Sequence, residues 1–161
     1  MGVTALCPGT FDPVTNGHLD ILERAGQRFD AVVVAVLDNP AKQPLFSADE
    51  RVAMLKESTA GLGNVEVDSF SGLLVEYAKR KGTDVIVKGL RAVTDFEYEI
   101  QMAQMNRQLA GVETLFMTTD PTWSYLSSSL VREVARFGGD VSSLVPPVVA
   151  DRLAERFGSP R

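Results

Sequence analysis

Gly9-Thr10-Phe11-Asp12-Pro13-Val14-Thr15-Asn16-Gly17-His18 decides the fold, because an apolar run leads into it and a helical pattern leads out. Val3 to Leu6 suit a short buried strand. Leu19, Leu22, Ala25 and Phe29 recur at helical spacing, with Asp20, Glu23, Arg24 and Gln27 between them. The two glycines are therefore expected in a turn between strand and helix, with Thr15 or Asn16 as the cap. First-turn N–H groups of a helix lack intrahelical acceptors and carry the positive end of its dipole, so an anion is favoured there. His18, the only histidine in the chain, falls in that first turn, where its ring can donate to a phosphate oxygen. The plainer alternative is a capping turn carrying a solvent-exposed histidine.

Size and composition narrow the rest. The chain has 161 residues, 45% apolar and 23% charged, which suits one domain with a sizeable core and excludes disordered, coiled-coil and collagen-like classes. A net charge of −5 argues against general nucleic-acid binding, which needs an excess of Lys and Arg, so a phosphate ligand is expected to be small and locally held. No apolar stretch approaches a membrane span and no basic start precedes an apolar core at the N-terminus, so a cytoplasmic protein is expected. One cysteine, Cys7, and one histidine leave no basis for a disulfide or a Cys/His metal site, and Cys7 reads as a buried strand residue.

Strand-like runs at Val3 to Leu6, Ala31 to Leu37, Val65 to Val67, Asp84 to Val87 and Thr114 to Met117 alternate with helical patterns. Those helices are expected over Asn16 to Arg28, Ala48 to Thr59, Leu73 to Arg80, Thr94 to Leu109, Ser129 to Phe137 and Pro147 to Arg156. The alternation predicts one doubly wound, Rossmann-like α/β domain over residues 1–161, with five mainly parallel strands. Val32 to Leu37, apolar throughout, is expected to be central. Ser47 and Glu50 form a capping box; Gly138-Gly139 ends one helix and Pro146-Pro147 opens the next, while residues 158–161 are expected to fray.

In open parallel sheets, ligands collect beyond the carboxyl ends of the strands, where the strand order reverses. Thr10 and His18 follow the first strand, Lys42 the second, Lys88 and Arg91 the fourth, and Ser127, Ser128 and Ser129 the fifth. Lys42 also reads as an ordinary surface lysine. Lys88-Gly89-Leu90-Arg91 is more specific, two cations flanking a glycine that lets backbone approach a ligand. Glu99 is close enough in sequence to Arg91 to orient its guanidinium or to meet a sugar hydroxyl, whereas Glu97 reads as solvated. The serines read first as a helix cap, and beyond that as donors to a second set of phosphate oxygens. A Walker sequence, a hydrolase elbow and a second histidine are all absent from the chain. Binders without a nucleophile make sense if the substrate brings its own, and a phosphate monoester, with a second pKa of about 6, does so.

Pro8 to Pro13 with Thr15-Asn16-Gly17-His18 resembles the T/HxGH signature of the nucleotidyltransferase superfamily. Adding Lys88-Gly89-Leu90-Arg91, Asp95-Phe96-Glu97-Tyr98-Glu99, Gln104-Met105-Asn106 and Ser127-Ser128-Ser129-Leu130-Val131-Arg132-Glu133-Val134, the chain from Thr4 to the Pro146 region resembles bacterial phosphopantetheine adenylyltransferases. The resemblance implies transfer of AMP from ATP to 4'-phosphopantetheine with Mg2+, giving dephospho-coenzyme A and pyrophosphate at the penultimate step of coenzyme A synthesis. It implies His18 and Thr10 on the α-phosphate, and Thr10, Lys42, Leu74 and Lys88 around phosphopantetheine. It further implies ATP contacts from Thr10, Phe11, His18, Gly89, Leu90, Arg91, Glu99, Trp123, Ser124, Tyr125, Leu126 and the three serines. A homohexamer inhibited by coenzyme A is implied too. Three positions depart from frequent family choices: Lys88 stands for arginine, Cys7 for an aromatic residue and Gly72 for aspartate. Rival readings are a related transferase using nicotinate mononucleotide or a sugar or glycerol phosphate, and a nucleotide-binding regulatory module without turnover.

Overall fold

The structure, a computed structural model, describes residues 2–161, the Thr94 side chain excepted. Among these, five strands are β1 (Thr4–Gly9), β2 (Ala31–Leu37), β3 (Val65–Phe70), β4 (Val85–Leu90) and β5 (Glu113–Thr118). They alternate with helices α1 (Asn16–Arg28), α2 (Ala48–Ser58), α3 (Leu74–Lys81), α4 (Val93–Ala110), α5 (Ser128–Arg136) and α6 (Pro147–Phe157). Every strand pairing is parallel and the order across the sheet is β3-β2-β1-β4-β5, the doubly wound arrangement.

Alternation along the strands sorts side chains to two faces. Ala5, Cys7, Val32, Val34, Val36, Val85 and Val87 meet Leu22 and Ala25 of α1, Met54 and Leu55 of α2, Val131 of α5 and Val149 of α6. Leu6, Val33, Ala35 and Ile86 meet Tyr77 and Ala78 of α3 on the other side. The all-apolar β2 is thus covered on both faces, but the centre of the sheet belongs to β1. An apolar run reports coverage, which every interior strand shares, and not rank in the sheet.

Four strands run past their expected ends, through Cys7-Pro8-Gly9, Asp68-Ser69-Phe70, Lys88-Gly89-Leu90 and Thr118. Polar or turn-forming residues break the apolar pattern there while the ladders continue. Helix ends follow their caps. Ser47 and Glu50 form the expected box, and Gly138, in the left-handed region at φ +83°, lets α5 close with Gly138 N–H on Ala135 and Gly139 N–H on Val134. In the tail, the Arg161 N–H reaches the Gly138 carbonyl at 3.0 Å.

Candidate active site

The sheet opens where its order reverses. β1 and β4 pair only at Ala5–Val85 and Leu6–Ile86, although β1 continues along β2 to Gly9 and β4 continues along β5 to Leu90. Above the separation lies a cleft of about 620 Å³, within the usual size of a small-molecule site. Thr10, Phe11, His18, Lys42, Lys88, Gly89, Arg91, Glu99, Trp123, Leu126 and the three serines line it together, as does the buried Cys7. Four expected residues do not line it. Leu74 starts α3 and packs on the opposite sheet face; Leu90 turns its carbonyl to the Thr119 N–H at 2.9 Å. The Ser124 hydroxyl donates to Pro121, and the Tyr125 side chain is exposed.

The turn expected of two glycines is made otherwise. Gly9 closes β1 and Gly17 belongs to α1, neither with positive φ; the left-handed residue is Phe11, at φ +50°. Its ring folds back so that a Cβ on Gly9 would stand 3.0 Å from it, which explains the glycine sterically. The ring then meets His18 edge to face at 5.0 Å. Gly89 likewise makes room for a neighbour, since a Cβ there would lie 3.0 Å from Ile21 of α1.

Thr15 caps α1, and its N–H donates to His18 Nδ1 at 3.0 Å. Nδ1 therefore holds a lone pair, which assigns the proton of the neutral ring to Nε2. Burial, with the Arg91 charge adding to it, lowers the His18 pKa to about 4, so the ring at neutral pH is an uncharged N–H donor. The α1 terminus is less open than expected, for Asn16 N–H donates to Leu144 and His18 N–H to Thr15 Oγ1.

Four cations and three carboxylates face the cleft. Glu99 pairs with Lys88 at 3.2 Å, and the orienter of Arg91 is Asp95, at 3.4 Å, one helical turn nearer than the Glu99 expected for it. Arg91 also donates to the Leu126 carbonyl at 2.8 Å. Lys42 closes a short turn after β2 and makes no ion pair among the described residues. The serines divide their work: Ser127 caps α5 by accepting from Leu130 N–H, Ser128 donates to the Pro13 carbonyl at 2.7 Å, and Ser129 accepts from Arg132. Ser128 and Ser129 N–H groups, in the first turn of α5, have no intrahelical acceptor.

Asp12 and Arg132 were outside the expected set. Asp12 accepts from Leu45 and Phe46 N–H groups at 2.8 and 2.9 Å, and Arg132 donates to the Asp12 carbonyl while standing 3.7 Å from its carboxylate. The sequence signal for Arg132 was its spacing, three residues after Ser129 on one helix face. Asp12 carried none, because its partners lie more than thirty residues away. The cleft thus presents a neutral imidazole donor, helix-terminal amides and four cations around one volume, an arrangement suited to a chain of phosphates.

Comparisons with known proteins agree. The sequence profile of the cytidylyltransferase-like family matches residues 6–134. Phosphopantetheine adenylyltransferase of Streptomyces coelicolor is 60% identical over 153 residues, 95% of this chain and 96% of that one. The enzymes of that name from Corynebacterium diphtheriae and Caldanaerobacter subterraneus are 56% and 58% identical, over 96% and 95% of this chain and 98% and 96% of theirs. Among solved structures, a lipopolysaccharide core biosynthesis protein from Thermoplasma volcanium shares the fold, with TM-score 0.55 and 21% identity over 74% of this chain and 98% of that one. With near-complete coverage at more than half identity, and the cleft built as described, the chain belongs to the phosphopantetheine adenylyltransferase family of cytidylyltransferase-like enzymes.

Proposed function

We propose that the protein moves AMP from ATP to the phosphate of 4'-phosphopantetheine, giving dephospho-coenzyme A and pyrophosphate, the penultimate step of coenzyme A synthesis. An acceptor phosphate oxygen attacks the α-phosphorus, the bond to the bridging β-phosphate oxygen breaks, and pyrophosphate leaves with that electron pair. No enzyme-bound adenylate forms. The observation that carries this reading is the convergence of the His18 Nε2–H donor with Lys42, Lys88, Arg91 and Arg132 on one cleft.

In this reading His18 and Thr10 meet the α-phosphate as charge develops on it, the moment at which a preorganised donor contributes most. Lys42 and Lys88 hold the acceptor phosphate. Arg91, Arg132 and the amides opening α5 take the leaving phosphates, with Phe11, Gly89, Glu99, Trp123 and Leu126 around the nucleotide. Magnesium would enter on the ATP phosphates, since Glu99 and Asp95 already face Lys88 and Arg91 and Asp12 accepts the Leu45 and Phe46 N–H groups. Coenzyme A contains both halves of the product, so the same cleft would hold it and feedback would compete with substrate. The homohexamer that the family resemblance implies would cover α4, where Met102, Met105 and Leu109 are exposed beside Leu115 of β5. A cytoplasmic location fits a single buried cysteine and no helix, among the described residues, long and apolar enough to cross a membrane.

The test is pyrophosphate release from ATP with a panel of acceptors. Release is expected with 4'-phosphopantetheine and not with nicotinate mononucleotide or glycerol phosphate. ATP binding without pyrophosphate under any acceptor would leave a regulatory module instead.

A further inference from the structure

Arg51 of α2 is the largest fully buried side chain among the described residues, 1% exposed, and no carboxylate neutralises it there. Its partners are all backbone carbonyls. Nε donates to Phe46 at 3.0 Å and to Ser47 at 3.3 Å, while Nη1 donates to Thr10 and to Leu37, both at 2.9 Å. Nη2 is buried with no acceptor among the described residues. A buried charge offset only by carbonyl dipoles is costly, so the arrangement calls for a reason beyond filling space.

The chain positions of the four carbonyls supply one. Leu37 ends β2 and Phe46 precedes the α2 cap, so the guanidinium grips both ends of the loop 38–45 that carries Lys42. Its grip on Thr10 joins that loop to the segment after β1. Asp12 completes the joint from the other side, accepting the Leu45 and Phe46 N–H groups whose strand of backbone Arg51 holds by its carbonyls. We infer that Arg51 is a positioning residue for acceptor binding: its planar fork sets the Lys42 loop against Thr10, and it acts without touching substrate. The inference rests on the acceptor role proposed above for Lys42. Lysine in its place would keep the charge and lose the fork that spans four acceptors.

The experiment compares Arg51→Lys, Arg51→Met and Lys42→Ala, alone and combined, by steady-state kinetics with 4'-phosphopantetheine, calorimetric ATP affinity and thermal melting. Both Arg51 variants are expected to raise the acceptor KM about tenfold while ATP affinity changes less than about threefold, because the Arg51 hydrogen bonds reach Thr10, Leu37, Phe46 and Ser47 and neither Arg91 nor the serines. Adding Lys42→Ala to either is expected to cost far less than it does alone, since its ammonium is already misplaced. Equal losses for both substrates, multiplying effects, an unchanged acceptor KM, or failure of both variants to fold would each overturn the assignment and make Arg51 a prop of the fold. Should wild-type protein release no pyrophosphate with this acceptor, the functional reading has failed separately. Amide exchange then decides for Arg51 without activity: Arg51→Lys is expected to speed exchange within 10–13 and 38–47 only, and unchanged protection there would refute the clamp.

Discussion

His18 faces the cleft as a neutral ring because two features act together: the Thr15 N–H occupies Nδ1, and burial beside Arg91 penalises the imidazolium. As the only histidine, its ring gives a single NMR titration. A pKa near 4 is expected, and a midpoint near the ordinary 6.5 would contradict the geometry. Between those values the unfolded chain takes up a proton that the folded ring refuses, so this contribution to stability is complete above pH 6.5 and is lost as pH falls to about 4. The shift corresponds to about 3 kcal/mol, to be read as the wild-type slope that His18→Asn lacks in urea melts across that window. The same variant is expected to lower single-turnover rate by more than tenfold, about 1.4 kcal/mol of barrier, with ATP affinity nearly unchanged. A smaller loss would remove His18 from the chemical step. That His18 matters was legible from its place after a strand and a turn. Its tautomer and lowered pKa were not, because they depend on one N–H three residues back and on a guanidinium brought over from β4.

Elements were legible to the extent that one local rule governs each. Helix α1 was foreseen to the residue because periodicity and a threonine cap agree, and α2 differed by one residue at its end. Strand ends were missed where function overrides pattern: Lys88 and Gly89 look like a loop, yet the ladder to β5 carries them to the cleft. Caps also sort the three serines. Ser127→Ala should destabilise the fold by about 1 kcal/mol through the lost α5 cap, measured by denaturant unfolding. Ser129→Ala, whose hydroxyl serves only Arg132 among the described residues, should leave the melt unchanged. Equal melts for both variants would show that Ser127 is not the cap.

At the scale of the molecule, a doubly wound sheet separates β1 from β4 just where the polar residues emerge, and alternation of strand and helix was enough to anticipate that edge. The outer surface was less legible. Helix α4 buries only Asn106 among its described side chains and shows Met105 and Leu109 each 53% exposed, a pattern that sequence alone cannot tell from a solvated helix. If the proposed homohexamer forms through this face, Met105→Glu is expected to shift it to smaller sedimenting species, and an unchanged sedimentation coefficient would move the interface elsewhere. The central claim is that two anions are held in line and react with each other directly. Its most direct measurement is the stereochemical course at phosphorus, using ATP made chiral by sulfur at the α-phosphate with 4'-phosphopantetheine as acceptor. Inversion is the predicted result; retention would mean two displacements through an adenylylated enzyme and would contradict the account.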